Sequence, residues 1–121
     1  MTGHQLTADL SDCPADSPVM TDPQALRALC IAAVQAAGLT PVAELFHAFP
    51  PPGGVTGVVL LAESHLAVHT WPERGVVTLD AYVCNLGGDN SAAAQRLIDQ
   101  LVAAFAPQQV QRQRWLRGDG G

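Results

Sequence analysis

A chain of 121 residues, 48% of them apolar, can bury about two thirds of its unfolded surface, so one domain spanning 1–121 is expected. Eleven acidic residues against six basic ones give a formal charge of −5, which argues against nucleic acid or an anionic membrane as partner. All six basic residues are arginine, and the absence of lysine excludes pyridoxal phosphate held as a lysine Schiff base.

Residues 1–10 alternate around Leu6, Ala8 and Leu10 and predict a first strand; SDCPADSPVMTDP is rich in turn formers and predicts a loop. Asp22 is a good N-cap with Pro23 at the first helical position. Leu26, Leu29, Cys30, Ala33, Val34 and Ala37 then recur at helical spacing until Gly38 stops the helix. TPVAELFHAF predicts a strand, PPPGG a rigid turn and TGVVLLA a second apolar strand. A tight turn around Ala62–Ser64 returns the chain as SHLAVHTW, and PERG turns it into VVTLDAYVC, making a four-strand antiparallel meander.

Asp89 or Asn90 is placed to cap a second helix, whose stripe of Ala94, Leu97, Ile98, Leu101, Val102 and Phe105 ends near Pro107. The closing VQRQRWL alternates like an edge strand, and its Arg112 and Arg114, with Arg117, read as a solvated edge that blocks strand pairing. The expected architecture is α+β, in the order β-α-β-β-β-β-α-β. It is a two-layer α/β sandwich with a mainly antiparallel sheet and two helices on one face. The longest apolar run, Val58–Ala62, is too short to span a bilayer, and Cys13, Cys30 and Cys84 at wide spacing with no C-x-x-C pair point to a reducing cytoplasm.

The stretch that carries chemistry is ESHLAVHTWPE, residues 63–73. Period-two alternation puts Ser64, Leu66, Val68 and Thr70 on one face and His65, Ala67, His69 and Trp71 on the other. Two histidines on an open polar sheet face need no further explanation than solvent. A zinc site from His47, His65, His69 and Cys84 is disfavoured, because His65 and His69 sit about 13 Å apart along a regular strand; no metal is expected. Ser64, His69 and Asp80 supply the residue types of a hydrolase triad, but no G-x-S-x-G elbow surrounds the serine.

ESHLAVHTWPE followed by LDAYVCN resembles the self-processing segment of the prokaryotic S-adenosylmethionine decarboxylases, which are pyruvoyl enzymes. The likeness extends to FHAF, to GVTGVVLL and to the order of helices, from Gly3 to the last strand. It implies that the Ser64 hydroxyl attacks the Glu63–Ser64 peptide bond and that an N-to-O acyl shift and β-elimination follow. These release a β chain, 1–63, and an α chain, 64–121, that begins with a pyruvoyl group formed from Ser64. The substrate amine would form a Schiff base with that group.

By the same resemblance His69 assists processing, Cys84 returns a proton to the substrate, Phe49 stacks on adenine and Glu73 holds the ribose hydroxyls. A free cysteine is more commonly a small buried hydrophobe, and Phe49 and Glu73 alone would read as a core residue and a solvated turn residue. Thr56 stands where the family usually has a serine that supports processing, and its extra methyl restricts χ1. Gln5 stands where a histidine is expected. Asn85 replaces a glycine, a change read as local to a turn because asparagine tolerates positive φ.

With a regular strand, Ser64 and His69 point to opposite faces. The resemblance implies a homodimer with active sites between protomers, where Thr56, His69, Phe49 and Glu73 of one chain serve Ser64 and Cys84 of the other. The expected substrate is S-adenosylmethionine. Pyruvoyl chemistry asks only for an α-amino acid, so arginine or ornithine remains an alternative, as does a noncatalytic binding or regulatory homologue. The role of His65, beside the cleavage site, is open between structure and catalysis.

Overall fold

The computed structural model describes residues 1–120. The chain forms six strands: β1 (Thr2–Ser11), β2 (Pro41–Ala48), β3 (Val55–Leu61), β4 (Ser64–Trp71), β5 (Val76–Cys84) and β6 (Gln109–Gly118). They form one antiparallel sheet in the order β2-β3-β4-β5-β1-β6, so β1 lies between β5 and β6. Helices α1 (Pro18–Thr21), α2 (Pro23–Ala36) and α3 (Ser91–Phe105) complete the fold, with α2 against β2 and β3 and α3 against β1 and β5.

Alternate residues of the central strands meet the helices. Leu6, Ala8 and Leu10, Val59 and Leu61, Leu66 and Val68, and Val77, Leu79, Ala81 and Val83 are buried with Leu26, Cys30 and Val34 of α2 and Leu97, Ile98, Leu101 and Phe105 of α3. The opposite face has no covering helix. It presents His65, His69, Asp80 and Tyr82 among partly exposed residues, as the alternation in SHLAVHTW predicts.

The helix signals read as expected at α2. The Asp22 carboxylate accepts from the Gln24 N–H at 2.9 Å. At the other end Gly38, at φ 83°, donates to the Gln35 carbonyl and Leu39 donates to that of Val34, both at 3.0 Å, which satisfies the last free carbonyls. At α3 it is Asp89 whose side chain accepts from Ser91 N–H at 2.8 Å, while Asn90 occupies the cap position without a side-chain cap bond.

Two expectations are corrected. The 11–23 segment is not loop throughout: Pro18 starts the single turn of α1, which sends Met20 fully into the core. Arg112 and Arg114 are not merely a solvated edge. Their guanidinium groups reach α3, with Arg112 Nη1 2.7 Å from Asp99 Oδ1 and Arg114 Nη2 2.8 Å from Gln95 Oε1, so they hold β6 against the helix. No helix among the described residues is long and apolar enough to cross a membrane.

Thr70 is the buried polar residue that ties α1 to the sheet. Its hydroxyl donates to the Met20 carbonyl at 2.8 Å and accepts from Val55 N–H at 2.9 Å. Thr70→Val keeps the shape and strands both backbone groups, so a loss of about 3 kcal/mol is expected in urea unfolding, with Thr70→Ser losing much less. Equal stability of the Val and wild-type proteins would contradict this account.

Burial also pushes the Cys30 thiol up from its ordinary 9.0 to about 12. The folded state therefore keeps a proton that the unfolded chain releases above pH 9, and stability falls as pH rises between pH 9 and about 12. The expected slope is about 1.4 kcal/mol per pH unit from this group, and Cys30→Ala removes it. Denaturant unfolding at several alkaline pH values, with identical slopes for both proteins, would refute the assignment.

Candidate active site

β3 and β4 pair with Leu61 opposite Ser64, so only Ala62 and Glu63 make the turn. Both are exposed, and Glu63 has φ 53°, a left-handed conformation that a side chain makes costly by about 1 kcal/mol or more. The bond between Glu63 and Ser64 thus lies at a strained, accessible turn at the very start of a strand. Ser64 Oγ accepts from Cys84 N–H at 2.9 Å, joining the start of β4 to the end of β5.

Ser64 and Cys84 line a cavity of about 130 Å³ with Leu39, Thr40, Leu86 and Asn90. Asn90 Nδ2 donates to the Cys84 carbonyl at 2.8 Å, and Asn90 N–H donates to Asn85 Oδ1 at 2.8 Å. Asn85 Nδ2 reaches His4 Nε2 at 3.2 Å. Asn85 does not adopt positive φ, so its value here lies in its amide, which ties the 85–90 loop to β1, rather than in backbone tolerance. Cys84 is buried, and its Sγ lies 3.7 Å from the Tyr82 hydroxyl.

The second constellation lies toward the opposite end of β4. Thr56 pairs in register with His69, and Thr56 Oγ1 is 3.1 Å from His69 Nδ1. A hydroxyl donating to Nδ1 leaves the ring proton on Nε2. Thr56, His69, Phe49 and Glu73 together border one cavity of about 350 Å³, with Gly53, Gly54 and Trp71. The Trp71 ring stacks on His69, with centroids 5.8 Å apart at 26°, and Phe49 meets His47 edge-on at 4.8 Å. Glu73 sits on the 3₁₀ turn Pro72–Arg74 that links β4 to β5. Gly54 is required here by space: a Cβ would lie 2.0 Å from the Thr70 carbonyl oxygen.

Within one chain the two groups are apart. Ser64 and His69 are five residues apart on β4, about 16 Å along a regular strand, and on opposite faces. His65 belongs to neither group. Its Nε2 is 3.7 Å from Asp80 Oδ1, and Gln5 holds the same carboxylate through Nε2 at 3.1 and 3.2 Å while accepting from Arg117 Nη1 at 2.6 Å. Sequence reasoning missed Trp71, Tyr82 and Asn90. Strand parity was the signal for Trp71 beside His69 and for Tyr82 beside Cys84; nothing local gives Asn90 its contact with the Cys84 carbonyl.

The sequence pattern described as S-adenosylmethionine decarboxylase matches residues 4–118. This chain belongs to the S-adenosylmethionine decarboxylase family. It is 40% identical over 116 residues to the S-adenosylmethionine decarboxylase proenzyme of Aquifex aeolicus (strain VF5), covering 96% of this chain and 81% of that protein. The proenzyme of Pyrococcus furiosus is 35% identical over 104 residues, covering 86% and 73%. The crystal structure of the adenosylmethionine decarboxylase from Aquifex aeolicus superposes with a TM-score of 0.87 at 36% identity, covering 98% of this chain and 92% of that one.

The family's pyruvoyl group would replace residue 64, and the surroundings of Ser64 fit it. The Glu63–Ser64 bond lies in an exposed turn where a break would interrupt no strand interior, and Ser64 takes a hydrogen bond from the Cys84 backbone beside a cavity.

Proposed function

We infer that the chain is a proenzyme that cuts itself between Glu63 and Ser64 and then decarboxylates S-adenosylmethionine to the aminopropyl donor for spermidine synthesis. The observation that carries the reading is the gathering of Phe49, Thr56, His69 and Glu73 around one cavity at the polar face of the sheet. An adenosyl ligand offers a flat base for Phe49 and a vicinal diol for the Glu73 carboxylate, which accepts from both hydroxyls. His69 supplies an imidazole for the proton transfers of processing, and Thr56 Oγ1, 3.1 Å from Nδ1, holds its ring.

Processing begins with Ser64 Oγ attacking the Glu63 carbonyl carbon. The C–N bond breaks as the ester C–O bond forms, and the hydroxyl proton passes to the new amine. Release of the left-handed Glu63 turn favours this step by about 1 kcal/mol. Loss of the residue-64 α-proton and elimination of the Glu63 carboxylate then divide the chain into 1–63 and 64–121, and water adds to the dehydroalanine left at position 64 as ammonia departs, which gives the pyruvoyl carbonyl. The pyruvoyl carbonyl supplies an electron sink for the bond that loses CO2. Cys84, beside position 64, returns a proton to the substrate α-carbon from Sγ, while its backbone N–H remains a donor toward position 64.

The separation of Ser64 from His69 supports a homodimer in which each site takes Ser64 and Cys84 from one protomer and the Phe49 cavity from its partner. Three free thiols suit a reducing cytoplasm. The test is CO2 release by processed protein from S-adenosylmethionine, arginine and ornithine measured side by side. Turnover of S-adenosylmethionine alone is expected; comparable turnover of either other amino acid would overturn the substrate assignment.

A further inference from the structure

Cys84 is almost sealed from water, at 4% exposure, so a thiol that gives up its proton there has no direct route to another. Its polar neighbour is Tyr82. Residues 82 and 84 project from the same face of β5, and the Tyr82 hydroxyl lies 3.7 Å from Sγ. The hydrogen bond with Cys84 is also the first cause holding the Tyr82 phenol above its ordinary value.

A strand tyrosine reaches the residue two positions on only by leaning along the sheet, and β1 makes room for that lean. Gly3 pairs opposite Cys84, and a Cβ on Gly3 would lie 2.5 Å from the Tyr82 hydroxyl oxygen and 2.7 Å from Cζ. Gly3 does not have positive φ, so what it provides is space for the ring rather than backbone freedom. On the other flank the His65 ring lies 6.0 Å away at 31°. Tyr82 then borders a cavity of about 380 Å³ lined by Gln5, His65, Arg117 and Gly118. The ring thus connects a buried sulfur to a polar cavity.

We propose that Tyr82 is the positioning residue for Cys84, orienting the thiol in the resting site and relaying its replacement proton. The proposal rests on Cys84 being the proton donor. The S–H bond breaks as a C–H bond forms at the carbon that has lost CO2, and sulfur keeps the electron pair. The Tyr82 O–H then gives its proton to Sγ while the phenol oxygen takes one from water in the polar cavity. Each turnover consumes one solvent proton and returns both side chains to their starting state.

The experiment uses processed Tyr82→Phe enzyme, with cleavage verified by mass. The expected result is a kcat about tenfold lower with the KM for S-adenosylmethionine unchanged. The solvent deuterium isotope effect on kcat should rise, because return of a proton to the Cys84 sulfur then limits turnover. Gly3→Ala, which keeps the hydroxyl and displaces the ring, should reproduce both effects and decides the matter if Tyr82→Phe does not fold or cleave. Loss of turnover in Cys84→Ala with unchanged kcat and isotope effect in Tyr82→Phe overturns the Tyr82 proposal alone. Unchanged turnover in Cys84→Ala overturns it together with the reading of Cys84.

Discussion

Ser64→Ala should remain a single intact 12.7 kDa chain after prolonged incubation, while the wild-type protein resolves under denaturing conditions into residues 1–63 and a blocked chain beginning at position 64. On the proposed route the substitution removes the attacking atom and adds none. Ser64 is partly exposed at the start of β4, and its one hydrogen bond is to Cys84 N–H, so the stability loss is about 1 kcal/mol and the fold survives. Decarboxylation should disappear with cleavage. Mass spectrometry on both proteins reads the result directly. Cleavage of the alanine protein would show that another nucleophile acts, and an intact wild-type chain would bring the noncatalytic reading forward.

Mixing tests how the site is divided. Ser64→Ala and His69→Ala chains, each defective alone, should recover processing when refolded together, because a mixed dimer holds one site with Ser64 from one chain and His69 from the other. With random pairing, half of the dimers are mixed and each has one complete site, so roughly a quarter of the wild-type sites return. The argument comes from β4 itself: a rigid strand cannot bring its own positions 64 and 69 together across two faces. No recovery, with dimers present, would mean that the two cavities do not cooperate in this way.

Much of this was legible because it depends on local periodicity. Alternation in SHLAVHTW separated Ser64 from His69 before any fold was known, and Asp22, Pro23 and Gly38 marked both ends of α2. Other features depend on what the chain brings together from afar. The turn of α1 is four residues long, too short for a helical period, and is held by Thr70, fifty residues away. Arg112 and Arg114 looked like solvated residues because their partners, Asp99 and Gln95, lie across an element boundary on α3. The alliance of Tyr82 with Cys84 depends on a missing side chain at Gly3, which becomes their neighbour only through strand order. Gathering Phe49, Thr56, His69 and Glu73 into one cavity likewise requires β3, β4 and two turns to meet, and spacing alone could not place them there.

The sheet order gives the cut a further consequence. After cleavage β1, β2 and β3 belong to one fragment and β4, β5 and β6 to the other, yet β1 is seated between β5 and β6, and β3 remains zipped to β4. The two pieces are interleaved, so neither can leave without opening three ladders of backbone hydrogen bonds at once. Cleavage at the proposed bond would therefore release no propeptide. It does remove the tether that made folding a one-chain event, so recovery after denaturation becomes a meeting of two molecules. The precursor should refold at any dilution, and the mature protein only where its fragments can still find each other.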